Sequence, residues 1–264
     1  HTRDTIGTLA RSVADIALFD ACIAGGSPLA PVPLKGLRLG VCRDHYFSGA
    51  DPRIAAVIEG ELRRLAGLGV ERVELELPGL EEALAGPRRA IAMYECLPNL
   101  ARYLADTGIE LEDLISGTRT TGLLEHLRGI QGEKRIAEAD YRKAVEVERP
   151  ALRGLLREAF KIHRIAALVL PATLVPPGKR DAEITIERKG ETLGRFAAEG
   201  HNTGLSSSAG IPTVTVPAGL TEDGLPVGLA FDGPEGGDRD LLALALAYER
   251  SRPPPPAPVM LAGE

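Results

Sequence analysis

A chain of 264 residues, 44% hydrophobic and 26% charged, has ordinary globular composition and is long enough for one large domain or a portion of one. The net charge of −6 and an aromatic content of 4% with no Trp argue against a nucleic-acid binder, which presents clustered cations and stacking rings. Cys22, Cys42 and Cys96 are odd in number and widely spaced, so neither a disulfide framework nor a zinc site fits, and they read as small buried apolar residues in a reducing compartment.

In chain order, Leu9 to Ala24 reads as a helix with Leu9, Val13, Ile16 and Ala17 on one face, stopped at Gly25-Gly26. Leu37 to Cys42 is a short apolar strand. Asp51-Pro52 opens a helix, Asp as N-cap and Pro at the first helical position, with Ile54, Val57, Ile58, Leu62 and Leu65 as its buried stripe. Val70 to Leu77 alternates as a strand does. Residues 37–77 therefore predict a strand–helix–strand unit with parallel pairing in an α/β sheet.

Residues 81–165 are expected to be mainly helical, broken or kinked at Pro98 and Pro150. Strands are expected at Ala166 to Leu170, Ile184 to Glu187, Thr213 to Val216 and Pro226 to Phe231, with Asp223-Gly224 as a turn between the last two. Asp238 should cap a final helix over Leu241 to Arg250, followed by a proline-rich tail at 252–264. The uncharged run from Asn202 to Thr221 is too rich in Gly, Ser, Thr and Pro to span a membrane, and no signal peptide is visible, so the expected setting is soluble and cytoplasmic. Residue 1 is His rather than Met, and the chain is expected to be truncated, processed or excerpted there.

Local motifs exclude more than they assign. The loop Arg43 to Gly49 after the first strand lacks a glycine-rich phosphate cradle and reads as a polar loop, so Asp44, His45 and Ser48 are not taken as a triad. No two histidines have metal-ligand spacing along the chain, and neither a metal nor an organic cofactor is expected. Gly204-Leu205-Ser206-Ser207-Ser208-Ala209-Gly210 is not a nucleophile elbow, because its second glycine is misplaced. It reads either as a tight turn or as a cavity wall supplying hydroxyls.

Two stretches resemble the amidase signature family, in the branch of mandelamide and indoleacetamide hydrolases. One is Thr2-Arg3-Asp4-Thr5-Ile6-Gly7-Thr8-Leu9-Ala10-Arg11-Ser12-Val13-Ala14-Asp15. The other is Asn202-Thr203 with Ala209-Gly210-Ile211-Pro212-Thr213-Val214-Thr215-Val216-Pro217-Ala218-Gly219-Leu220, continuing through Asp223 to Leu229. Leu170-Pro171-Ala172-Thr173 resembles a family strand end facing the cavity.

The resemblance implies a three-layer α/β fold, a mixed sheet flanked by helices, of which the chain holds the C-terminal portion as part of a single amidase domain. It also implies hydrolysis of an amide C–N bond in a small substrate, an aryl-acetamide by branch. The family's nucleophilic Ser is activated through a second Ser on a cis peptide and a neutral Lys, and a glycine-rich loop holds the oxyanion. That Gly/Ser-rich stretch is absent here. Lys35, Lys134, Lys143, Lys161, Lys179 and Lys189 match nothing catalytic, so no catalytic residue is assigned and the chain alone is expected to be inactive.

By resemblance, Thr173, Asn202, Thr203 and Ser207 are expected to contact substrate, and Asp4, Gly7 and Arg11 to support the catalytic loop. The helical region around Met93, Tyr94 and Leu97 resembles the part that varies with substrate, and Gly204 stands where close relatives carry an acidic residue. The expected partner is a small-molecule amide, with neither nucleic acid nor membrane, and a homodimer is left open. The alternatives are an amidotransferase-like subunit working with a companion and a non-catalytic binding remnant.

Overall fold

The structure, a computed structural model, describes residues 2–179 and 185–253. The chain divides into two compact units. A sheet unit comprises residues 7–76, 159–203 and 211–264, and a helical unit comprises residues 1–6, 77–158 and 204–210.

In the sheet unit, the strand–helix–strand expectation holds. Strand β1 (Arg38–Val41) pairs in parallel with β2 (Glu71–Glu74). The helix between them, Pro52–Gly67, has Pro52 at its start and Asp51 as its cap, whose side chain accepts from Arg53 N at 2.9 Å. Ile54, Ile58, Leu62 and Leu65 are buried on one face of that helix, each contributing roughly 1.5–3 kcal/mol by leaving water.

Strand β3 (Ala167–Pro171) runs parallel to β1 and is buried at every position, as a strand covered on both faces must be. Strands β4 (Thr185–Arg188) and β5 (Glu191–Gly194) form a separate hairpin. The sequence predicts only the first of these two, and Ile184, where that strand is expected to start, lies outside the described residues. Lys189 and Gly190 both have positive φ, 50° and 82°, the requirement of a type I′ two-residue turn.

Strands β6 (Thr213–Leu220) and β7 (Pro226–Asp232) are antiparallel to each other, and β7 is antiparallel to β3. The sheet order is β2-β1-β3-β7-β6, which makes a five-stranded mixed sheet flanked by helices, the α/β class expected. One face packs its apolar residues, among them Leu39, Val41, Val169, Val214, Val216 and Phe231, against helices α1 (Val13–Ala24), α3 (the Pro52–Gly67 helix) and α12 (Asp238–Arg250).

Several boundaries differ from the sequence reading. Helix α1 begins at Val13 because Ser12 caps it, accepting from Asp15 N at 3.1 Å; Leu9 lies outside it and is exposed. Helix α2 (Arg43–Tyr46) replaces the expected polar loop, and His45 within it is only 2% exposed. Asp238 does not cap α12 but sits in its first turn, where a carboxylate favours the helix dipole. Among the cysteines, only Cys42 is buried; Cys96 is half-buried and Cys22 exposed. Beyond Pro253 the proline-rich tail lies outside the described residues.

The helical unit holds α4 (Leu80–Gly86), a π-helical turn at Pro87–Ile91, α5 (Ala92–Leu104), α6 (Leu111–Ser116) and α7 (Thr121–Gln131). It continues with α8 (Glu138–Lys143), a second π-helical turn at Ala144–Glu148, and α9 (Arg149–His163), whose last residues belong to the sheet unit. Pro98 does not break α5, which continues through it, because packing along the helix overrides a local penalty of about 3 kcal/mol. Pro150 is the second residue of α9, one residue beyond the second π-helical turn, an irregularity of the kind that accommodates a missing donor. Helix α10 (Arg195–Gly200) belongs to the sheet unit and the short α11 (Gly204–Ala209) to the helical unit. Among the described residues, no helix is long and apolar enough to cross a membrane.

Candidate functional site

The small-residue run that the sequence singled out forms α11, and four arginines of the helical unit converge on it. Arg3 donates Nε at 3.1 Å and Nη2 at 2.9 Å to Ser207 Oγ, while its Nη1 donates to Arg88 O at 3.0 Å. Arg149 Nε donates to Ser208 O at 2.9 Å and Arg153 Nε to Ala209 O at 2.5 Å. These two cations satisfy carbonyls that the end of a helix leaves without intrahelical donors. The Arg88 guanidinium lies over Gly204, where an added Cβ would come within 3.0 Å of its Nε. Burial lowers the basicity of Arg3, and the neighbouring cations Arg88 and Arg149 lower it further, against the opposing pull of Asp4.

Glu95 on α5 organises the adjacent contacts. Its carboxylate accepts from Thr2 N at 2.8 Å, Thr2 Oγ1 at 2.7 Å and Tyr141 Oη at 2.7 Å. Arg149 Nη1 holds the same segment from the other side, donating to Thr2 O at 3.0 Å. Burial pushes the Glu95 carboxyl up, but the hydrogen bonds donated to it, those from Thr2 and Tyr141 among them, outweigh it and hold the group below the usual carboxylate range. Burial, then the Glu95 charge, raises the Tyr141 phenol.

The Tyr141 ring stacks on Tyr94 at 4.2 Å between centroids and 11° between planes. Tyr94 in turn lines a cleft of about 430 Å³ in the helical unit, walled by Met93, Leu97, Pro98, Ile130 and Ile136, with Gln131 and Arg135 as its polar members. The volume falls in the ordinary range for a small-molecule site, about 300–1,000 Å³.

The sheet unit carries its own buried polar groups. Asn202, 1% exposed, donates Nδ2 to Tyr46 O at 3.1 Å and to Pro171 O at 2.6 Å, tying α2 to the end of β3. Tyr46 Oη and Thr213 Oγ1 both donate to Asp232, at 3.0 and 2.5 Å. Complete burial raises the Asp232 carboxyl to about 6, against the pull of those two hydrogen bonds. Burial and the Asp232 carboxylate also push the Tyr46 phenol well up. His45 and His201 have ring centroids 5.0 Å apart although 156 residues separate them, a pairing that spacing along the chain does not reveal.

The expected site residues fall in different places. Ser207 is half-buried in the helical unit and held by Arg3. Asp4, in the same unit, is exposed and close enough to Arg3 to act on its charge. Thr173, Asn202 and Thr203 are in the sheet unit. Thr173 Oγ1 donates to Val175 O at 2.8 Å, and the exposed Thr203 donates Oγ1 to Gly200 O at 3.1 Å. Gly7 and Arg11 are exposed in the sheet unit. The sequence reading did not single out Arg3, Arg88, Arg149, Glu95 or Tyr141 as site residues. Two of them left a signal: Glu95 stands four residues after buried Ile91, and Arg149 three before buried Leu152, so each is a charge at a core position of its helical period.

The chain is similar to an indoleacetamide hydrolase of Agrobacterium vitis, 33% identical over 253 residues, covering 95% of this chain and 54% of that protein. It is 30% identical over 256 residues to a mandelamide hydrolase of Pseudomonas putida, covering 92% of this chain and 49% of that protein. A crystal structure of an amidase superposes with a TM-score of 0.75 at 28% identity, over 92% of this chain and 52% of that one. The chain thus spans about half the length of the curated relatives it matches. The model of the Amidase family matches residues 1–242, and the chain belongs to that family.

Proposed function

We propose that residues 1–264 are the C-terminal portion of a single amidase domain, and that the protein containing them hydrolyses the C–N bond of a small aryl-acetamide-like substrate. The nucleophilic Ser, the bridging Ser and the Lys are supplied by sequence outside this chain. The observation carrying this reading is the match along nearly the whole chain to hydrolases of indoleacetamide and mandelamide, amides that each carry an aromatic group. The apolar cleft beside Tyr94 supports it, since an aryl group leaves water for such a surface at a gain of roughly 25 cal/mol per Å².

Within this reading, Thr173, Asn202, Thr203 and Ser207 contribute to the substrate cavity. Asp4, Gly7 and Arg11 support the loop that carries the nucleophile. Of the substrate-side groups, Ser207 accepts two hydrogen bonds from a cation, Arg3.

Ammonia release from phenylacetamide, mandelamide and indoleacetamide tests the proposal, measured for the 264-residue chain and for a longer product that includes the family's Gly/Ser-rich stretch. Turnover by the longer product and none by the chain alone is the expected result. Turnover by the chain alone would overturn the assignment of the catalytic groups. A longer product inert on all three amides would overturn the substrate class. Co-purification of a companion subunit with that inert product would favour the amidotransferase-like reading.

A further inference from the structure

We propose that the cleft beside Tyr94 is a binding site for an aromatic monocarboxylate, with Arg135 as its counter-ion. The cleft's walls are apolar, from Met93, Leu97 and Pro98 on α5, Ile130 at the end of α7, and Ile136. A site of this kind binds an apolar body and uses its few polar groups to read the ligand's polar end.

Only two side chains of the lining carry strong polar groups beyond the Tyr94 phenol. Gln131 is already engaged, its Oε1 accepting from Arg128 at 3.0 Å and its Nε2 reaching Glu112 at 3.5 Å. Arg128 and Glu112 are themselves an ion pair at 2.6 Å, so their charges are matched. Arg135 differs: among the described residues no hydrogen-bond acceptor or carboxylate meets its guanidinium, although its backbone is fixed by a bond from its N–H to Gly132 O at 3.1 Å. A planar fork of donors at the edge of an apolar cleft, lacking a counter-ion, is complementary to a carboxylate on an apolar ligand.

The aromatic preference comes from the wall. Tyr94 is held in a parallel stack on Tyr141, whose hydroxyl is anchored by Glu95, so a flat and fixed ring lines the cleft. Offset stacking on such a ring adds attraction beyond the area buried. Amide hydrolysis of an aryl-acetamide yields this class of ligand, R–CO–NH2 plus water giving R–COO⁻ and ammonium. The link to turnover rests on the amidase reading; the binding does not.

Titration calorimetry on the full chain, with phenylacetate and phenylacetamide as probes, separates the two. Phenylacetate is expected to bind about tenfold more tightly than the neutral amide, as one charge-assisted contact at an exposed edge allows, with affinity falling as salt rises. Arg135→Gln, an exposed position, should leave the melting transition unchanged and bring the acid down to the amide's affinity. Met93→Ala should weaken acid and amide alike. Equal affinities for acid and amide, an acid affinity indifferent to Arg135→Gln, or no binding of phenylacetate at millimolar concentration would each overturn the site. Octanoate binding as tightly as phenylacetate would overturn the aromatic assignment. None of these readouts requires turnover, so an inactive chain that still discriminates acid from amide keeps this site while the amidase reading fails.

Discussion

Arg3 and Ser207, 204 residues apart in sequence, are joined by two hydrogen bonds from one guanidinium to one hydroxyl, at 3.1 and 2.9 Å. The contact links the first family-like stretch to the segment between the halves of the second. It fixes the hydroxyl's acceptor side, leaving Ser207 Oγ–H to point toward Gly204 O at 3.4 Å.

Ser207→Ala removes the acceptor and leaves two donors of a half-buried guanidinium without a partner. The expected cost is about 1–3 kcal/mol, read as a lower urea midpoint with an unchanged slope. A change below about 0.5 kcal/mol, the range of ordinary surface substitutions, would mean that water replaces the hydroxyl at no cost.

Glu95 gathers Thr2 and Tyr141 through three hydrogen bonds while almost wholly buried. Its folded carboxyl sits below the ordinary range, so its contribution is present above the unfolded pKa and is lost as pH falls through the folded one. Glu95→Ala is expected to cost about 2–3 kcal/mol near neutral pH, and Tyr141→Phe about 1 kcal/mol. If the Glu95→Ala penalty stayed constant into the acid range, the carboxylate would not be what holds the segment.

Asp232 behaves oppositely. Buried, it keeps its proton up to about pH 6 in the folded chain, whereas the unfolded group releases it near pH 4. The folded state therefore binds more protons between these values, and stability falls as pH rises from about 4 to about 6, by on the order of 3 kcal/mol. Asp232→Asn should flatten that slope in urea melts taken at intervals across the window. A variant that keeps the full slope would place the titrating group elsewhere.

Gly210 ends α11 with φ of +71°, and a Cβ there would lie 2.6 Å from Arg153 Nη2. Gly210→Ala should cost about 1–2 kcal/mol from the left-handed conformation alone, and more if Arg153 must release Ala209 O. Calorimetric melting of the variant checks this; an unchanged midpoint would show that the turn relaxes freely.

The features legible along the chain are local in origin. The Asp51-Pro52 start, the buried stripe of Ile54, Ile58, Leu62 and Leu65, and the parallel strands on either side follow from capping chemistry and apolar period, which act over a few residues. The family was legible for a related reason, because its two marker stretches are contiguous. Packing between distant segments is what buries His45 against His201, lets Tyr46 and Thr213 share Asp232, and closes Arg3, Arg149 and Arg153 on α11. Those pairings depend on which distant segments sheet order and helix packing bring together, and a hydrogen bond acting over about 3 Å leaves no period in the chain that makes it. The guanidinium of Arg135, unmatched among the described residues, belongs to the same class. As sequence it is one charge among many on a helical region, and only the apolar walls that the fold sets around it give that charge a ligand to read.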